Sequence, residues 1–188
     1  MTKTKSKTKT NTKHITKILL RYLPKSLTRK DRKNQGKMLL KSRRLYKKGH
    51  YFSRKALKSF KSQKSQHIKD AEKLYHLDKI VVNDELSRKT KCSKQALAKI
   101  VNKGEGAYFS SGSRPNQTAQ SWGIARLASS ITGGKAATID YSILEKGCQK
   151  GSIALKLAKK AQHKYGSLIN KSKTKNKTRK MPKTNLYL

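Results

Sequence analysis

The sequence predicts a mainly α-helical fold: one small helical domain, with room for a short β segment in its middle, flanked by two disordered basic arms. Three observations predict it. Apolar residues recur at three- and four-residue spacing in several stretches, Ser, Thr and Gly stand where helices start and stop, and the two ends carry lysine interleaved with Thr, Ser and Asn.

Taken in order, residues 1–17 place Lys at positions 3, 5, 7, 9, 13 and 17 between Thr and Ser, without one acid. Such a stretch cannot bury enough apolar surface to offset the entropy of ordering it, so a disordered arm is expected. Residues 167–188, with the run KSKTKNKTRK and Pro182, are expected to match it. The intervening 18–166 is long enough to bury a single core.

Inside that domain, Thr28 is placed to cap a helix that runs from Arg29 through Met38, Leu39, Leu45 and Tyr46 to Lys48, with Gly49 as its stop. Its polar face would carry Arg29, Lys33, Lys37, Lys41, Arg44 and Lys48. Phe52 to Gln66 reads as a short helix or an irregular basic link. Ile68, Ala71, Leu74 and Tyr75 mark a second helix, and Ser93 caps a third whose Ala96, Leu97, Ile100 and Val101 point inward, with Gly104 beyond its end.

From Gly104 to Gly134 the chain holds no lysine, and Glu105, Arg114 and Arg126 are its only charges, although the whole carries 48 Lys+Arg against 9 Asp+Glu. This window is the expected packed or recognising centre. Its first half, punctuated by Gly104, Gly106, Gly112 and Pro115, suits a short extended piece or a turn at Ala107-Tyr108-Phe109. Its second half reads as a helix capped by Asn116 or Thr118, with the stripe Ile124, Leu127, Ala128 and Ile131, ended by Gly133-Gly134. Ala136 to Tyr141 reads as a brief strand or a helix lead-in, Gly147 as a stop. Ser152 caps a last helix with Ala154, Leu157, Ala158, Ala161 and Tyr165 inward and Lys156, Lys159, Lys160 and Lys164 outward.

A formal charge of +39 on 188 residues repels itself unless a polyanion supplies counter-charge. Nucleic acid is the expected partner, DNA ahead of RNA, with capsid or core proteins as further partners. No apolar run is long enough for a membrane span or a secretory signal, so a secreted or membrane-spanning protein is not expected. Cys92 and Cys148 are too few and too far apart for a zinc cage, and two reduced, part-buried thiols are expected, a disulfide being reserved for an oxidising setting.

The string GEGAYFSSGSRPNQTAQSWGIARLASSITGG, from Gly104 to Gly134, resembles the signature of a domain of unknown function carried by giant DNA viruses and some phages. Arg21-Tyr-Leu-Pro-Lys, the Lys41-Ser-Arg-Arg-Leu-Tyr run and Cys92-Ser-Lys-Gln-Ala-Leu are similar to it as well. The resemblance implies a viral protein in the virion or the viral factory of the host cytoplasm, with the nucleus as an alternative. It supplies no catalytic residue.

Nor do the residues themselves. Asp70 and Glu72 fall on different helix faces, Asp84-Glu85 sits beside a turn, Asp140 reads as a helix-start charge, and the five histidines lack ligand spacing, so no metal, cofactor or catalytic set is expected. Tyr108 with Arg114 and Arg126 would need a proton donor for phosphodiester chemistry, and the window supplies none. Trp122 reads as core ahead of a base-stacking platform.

A binding role suits the same residues better. Ser111, Ser113, Arg114, Asn116, Gln117 and Thr118 could form a phosphate cradle at a turn and helix start, unless their hydroxyls and amides satisfy one another, and Arg126 is a further expected phosphate contact. Lys37, Lys41, Arg43, Arg44 and Lys48 on the first helix and Lys156 and Lys160 on the last would add sequence-independent phosphate contacts. The expected function is therefore non-enzymatic nucleic-acid binding, condensing or packaging a genome. A virion cement protein whose window is a protein interface is the alternative, and a nucleic-acid-processing enzyme the third.

Overall fold

The computed structural model describes the backbone over residues 18–178 and side chains over 18–166. The first expected basic arm, 1–17, and residues 179–188 of the second lie outside the described residues, whereas 167–178, expected as disordered tail, continue α7 as helix. Among the described residues there are seven α-helices and no strand. They are α1 (Arg29–Tyr46), α2 (Gln66–Tyr75), α3 (Asp84–Thr90), α4 (Lys94–Ser110), α5 (Ala119–Ile131), α6 (Lys135–Gly147) and α7 (Ile153–Thr178), preceded by a 3-10 turn at Leu20–Tyr22. The expected domain end at Gly166 falls inside α7.

The chain forms two compact units. One holds the described residues up to Gln66 together with Lys99–Arg126, and the other holds His67–Ala98 together with the residues from Leu127 onward.

In the first unit, α1 starts where Thr28 accepts the Asp31 amide N–H at 3.2 Å. It stops where Gly49, at φ 79°, lets its N–H reach the Tyr46 carbonyl while the His50 N–H reaches Leu45. The apolar core here gathers Ile18, Tyr22, Leu23 and Leu39, with Leu40 and Trp122 packed against it. Trp122 meets the edge of Tyr22 at 6.0 Å and is a packing residue.

Gly104 does not end the third expected helix. Helix α4 runs six residues further, because a Cβ on Gly104 would stand 2.6 Å from the Cα of Gly123 and one on Gly123 would stand 2.8 Å from Val101. The two glycines let α4 and α5 touch backbone to backbone, which matters more here than their helix propensity. The stop is Gly112, at φ 100°, whose N–H returns to the Ala107 carbonyl at 3.0 Å. Ala107-Tyr108-Phe109 is accordingly helical, neither an extended piece nor a turn. Segment 52–65 carries no helix.

The second unit has a stretch that the sequence pattern hid. Helix α3 has one deeply buried apolar residue, Leu86, and is set by the Asn83 cap, which accepts the Leu86 N–H at 2.8 Å, and by Lys91 in the left-handed region. Helix α6 spans the whole of Ala136–Tyr141, where a strand had been one of two expectations, and packs on α7, with Thr138 Oγ1 donating to the Ala161 carbonyl at 3.0 Å. Asp140, expected as a helix-start charge, stands in the middle of α6. It is fully buried and accepts from Ser130 Oγ at 2.9 Å.

Cys92 and Cys148 are joined in a disulfide, against the expectation of reduced thiols. An isolated antiparallel bridge brings their backbones together, with Ser93 N–H on the Gly147 carbonyl at 2.7 Å and Gln149 N–H on the Lys91 carbonyl at 2.9 Å. That leaves the two Cys as the close, non-hydrogen-bonded pair of the bridge.

Candidate nucleic-acid interface

Helix α1 has two faces of different chemistry. Its inner face is polar as well as apolar: Gln35, Leu39 and Ser42 are buried, and the polar members donate to carbonyls that no helix satisfies. Gln35 Nε2 reaches the carbonyls of Tyr22 at 3.4 Å and Ser113 at 3.3 Å, Ser42 Oγ reaches Phe109 at 3.2 Å, and Arg43 Nη2 reaches Ser111 at 2.6 Å. The Ser/Gly turn after α4 is thus held from below by α1.

Arg54, which the sequence did not single out, completes that hold. Its guanidinium lies 3.6 Å from the centre of the Tyr108 ring and donates to Ser42 Oγ at 3.2 Å, to the Tyr108 carbonyl at 3.1 Å and to Ser113 Oγ at 2.7 Å. Burial pulls its pKa below the ordinary arginine value, yet guanidinium keeps its proton at any physiological pH. One planar fork therefore ties three segments together.

Asn116, at φ 56°, does the same for the irregular segment. Its Oδ1 accepts the Leu57 N–H at 2.7 Å, and its Nδ2 donates to the carbonyls of Leu57 at 3.0 Å and Phe60 at 2.6 Å. Asp31 pins the neighbouring residue, accepting from Ser59 N–H at 3.1 Å and Ser59 Oγ at 2.6 Å. Thr118, not Asn116, caps α5: Thr118 Oγ1 accepts the Ser121 N–H while Ser121 Oγ accepts the Thr118 N–H, both at 3.0 Å.

The cradle residues are therefore spent inward in part. Ser113 is fully buried, its hydroxyl donating to the Arg114 carbonyl at 2.8 Å while accepting from Arg54. Ser113 and Asn116 position the turn, whereas Ser111 and Arg114 are exposed at its surface. Arg126 is half-buried, its stem against Gly104. Tyr108 is buried beneath Arg54, with its hydroxyl accepting the Arg54 N–H at 3.3 Å, so it offers no exposed phenol.

The outer surface of this unit is cationic. Arg29, Lys33, Lys37, Lys41 and Arg44 are exposed, at spacings of three or four residues that place them on one side of α1, and Lys48, expected in the helix, is exposed in the turn that follows Tyr46. The helix is about 27 Å long at 1.5 Å per residue. The segment that Asn116 and Asp31 pin exposes Lys55, Lys58, Lys61 and Lys64, one every third residue. Against these stand only two acids in the unit, Asp31 and Glu105, both partly buried and the first engaged by Ser59. In the other unit Lys156 and Lys160 are exposed on α7.

Among the described residues no cluster of three or more His, Cys, Asp or Glu could hold a metal ion, and no helix is long and apolar enough to cross a membrane. No curated protein and no solved structure matches the chain. A family model described as a family of unknown function (DUF5824) matches residues 20–143, more than half of its length.

Proposed function

We propose that this chain, which belongs to the DUF5824 family of unknown function, binds nucleic acid through its phosphates without catalysing a reaction on it. The observation that carries the reading is the pair of cation rows: six exposed bases along α1 and the turn after it, and four along the pinned 55–64 segment, in a unit with only two acids. A duplex presents a negative charge about every 1.7 Å of its axis, so a row of this length faces many phosphates at once. Both acids of that unit, Asp31 and Glu105, are partly buried.

The packing of the lysine-free window favours this over an interface role for the window. Gly104, Tyr108, Gly112, Ser113, Pro115, Gly123 and Leu127 to Ile131 are buried within the chain itself. In the viral setting that the sequence signature implies, such a protein would condense or package the genome.

The test is the salt dependence of binding to a duplex by the full chain. With about ten phosphates neutralised, the slope of log affinity against log salt is about −9. A slope shallower than about −2 overturns the reading.

A further inference from the structure

We propose that Tyr51 is a stacking platform for an unpaired base, so that the preferred ligand of the α1 face is single-stranded nucleic acid. Tyr51 is 73% exposed, more than any other aromatic among the described residues. A tyrosine standing that far out of a surface loses apolar contact without a partner. Trp122, read from the sequence as core ahead of a stacking platform, packs on the edge of Tyr22.

The ring is held in place. Gly49 reverses the chain at the end of α1 and lays Tyr51 back over the last turn, edge-on to Tyr46 at 6.0 Å and to Phe109 at 5.0 Å. Phe109 in turn stacks on Tyr46 at 6.2 Å and meets the edge of Tyr108 at 4.9 Å. The outermost ring of a four-ring cluster keeps one orientation, so little entropy is lost when a flat partner settles on it.

Cations surround it in the chain. Lys47, Lys48 and Lys55 are exposed within four residues of Tyr51, and Lys48, in the turn after α1, ends the cation row. A basic track leading to an exposed aromatic is the arrangement that binds single strands, since every unpaired base has a free π-face and a base within a duplex does not. The inference rests on the phosphate reading for the charge that brings the strand in. It adds a contact that salt does not screen.

The experiment compares the full chain on an oligothymidine and on an abasic strand of equal length, by fluorescence anisotropy across a salt series. Wild type is expected to bind oligothymidine about tenfold tighter than the abasic strand. Tyr51→Ala is expected to erase that difference and leave both abasic affinity and salt slope unchanged, while Tyr51→Trp retains it. Equal wild-type affinity for the two strands, or a Tyr51→Ala loss that is the same on both, overturns the inference while a steep slope leaves the phosphate reading standing. A shallow slope with the thymidine preference intact does the reverse.

Discussion

The guanidinium carbon of Arg54 lies 3.6 Å from the centre of the Tyr108 ring, and the same side chain donates to the Tyr108 carbonyl at 3.1 Å. A residue of the irregular basic segment thereby closes over a buried residue of the lysine-free window. The Ser/Gly turn of that window is thereby tied to the basic segment beside it.

Arg54→Lys should cost about 2 kcal/mol, because an ammonium cannot keep the planar fork on Ser42, Tyr108 and Ser113. Lys55→Ala, one residue away and exposed, should stay within about 0.5 kcal/mol of wild type. Urea midpoints at constant slope separate the two, and equal midpoints would count against the Arg54 hold.

Gly104→Ala should destabilise by about 1 to 3 kcal/mol through overpacking, although alanine is the better helix former. A Cβ there would meet the Gly123 backbone at 2.6 Å, whereas one on Gly166 meets nothing within 4 Å. Gly166→Ala should therefore stabilise by about 0.5 to 1 kcal/mol. Thermal melts of the two variants should move in opposite directions.

Reduction of Cys92–Cys148 releases a cross-link between residues 56 apart in sequence. Loop-closure entropy puts the loss at about 4 kcal/mol. Denaturant unfolding with and without a phosphine reductant measures it, and the Cys92→Ala/Cys148→Ala variant should show the reduced midpoint in both conditions.

Hydrogen bonds from the Ser59 hydroxyl and backbone hold the Asp31 carboxyl below its ordinary pKa. Its contribution to stability is present above the unfolded carboxyl value, about 3.9, and is lost as pH falls through the lower folded value. Ser59→Ala should move the Asp31 titration upward, as read by carboxyl carbon shifts. A titration that does not move would mean the pinning bond is not formed in solution.

Replacing Lys37, Lys41, Arg44 and Lys48 together by Gln should make the duplex salt slope shallower by about 3 to 4. All four are exposed, so the melting temperature should barely change. An unchanged slope would place the phosphate contacts elsewhere on the chain.

Much of the secondary structure was legible because its causes are local. Thr28, Ser93 and Ser152 stand beside the starts of α1, α4 and α7 as read, and Gly49 and Gly147 stand at stops. Helix α3 escaped because seven residues with Leu86 as the single apolar anchor have no periodicity to read. Of the site, the α1 cation row was legible from its spacing. Arg54 and Tyr51 were not, since nothing around them distinguishes one arginine or tyrosine of a basic segment from another.

By itself the sequence determined the helical class, most caps and the excess of positive charge, all of which depend on composition or on neighbours within about four residues. Tertiary structure alone decided that Gly104 is a contact with Gly123 and not a stop, that Asp140 turns inward to Ser130, that Cys92 meets Cys148, and that Ser113 and Asn116 serve packing. Each of these is a pairing of positions brought together by the fold. Which faces meet is fixed by burial and hydrogen-bond satisfaction over the whole unit, and no local pattern encodes it.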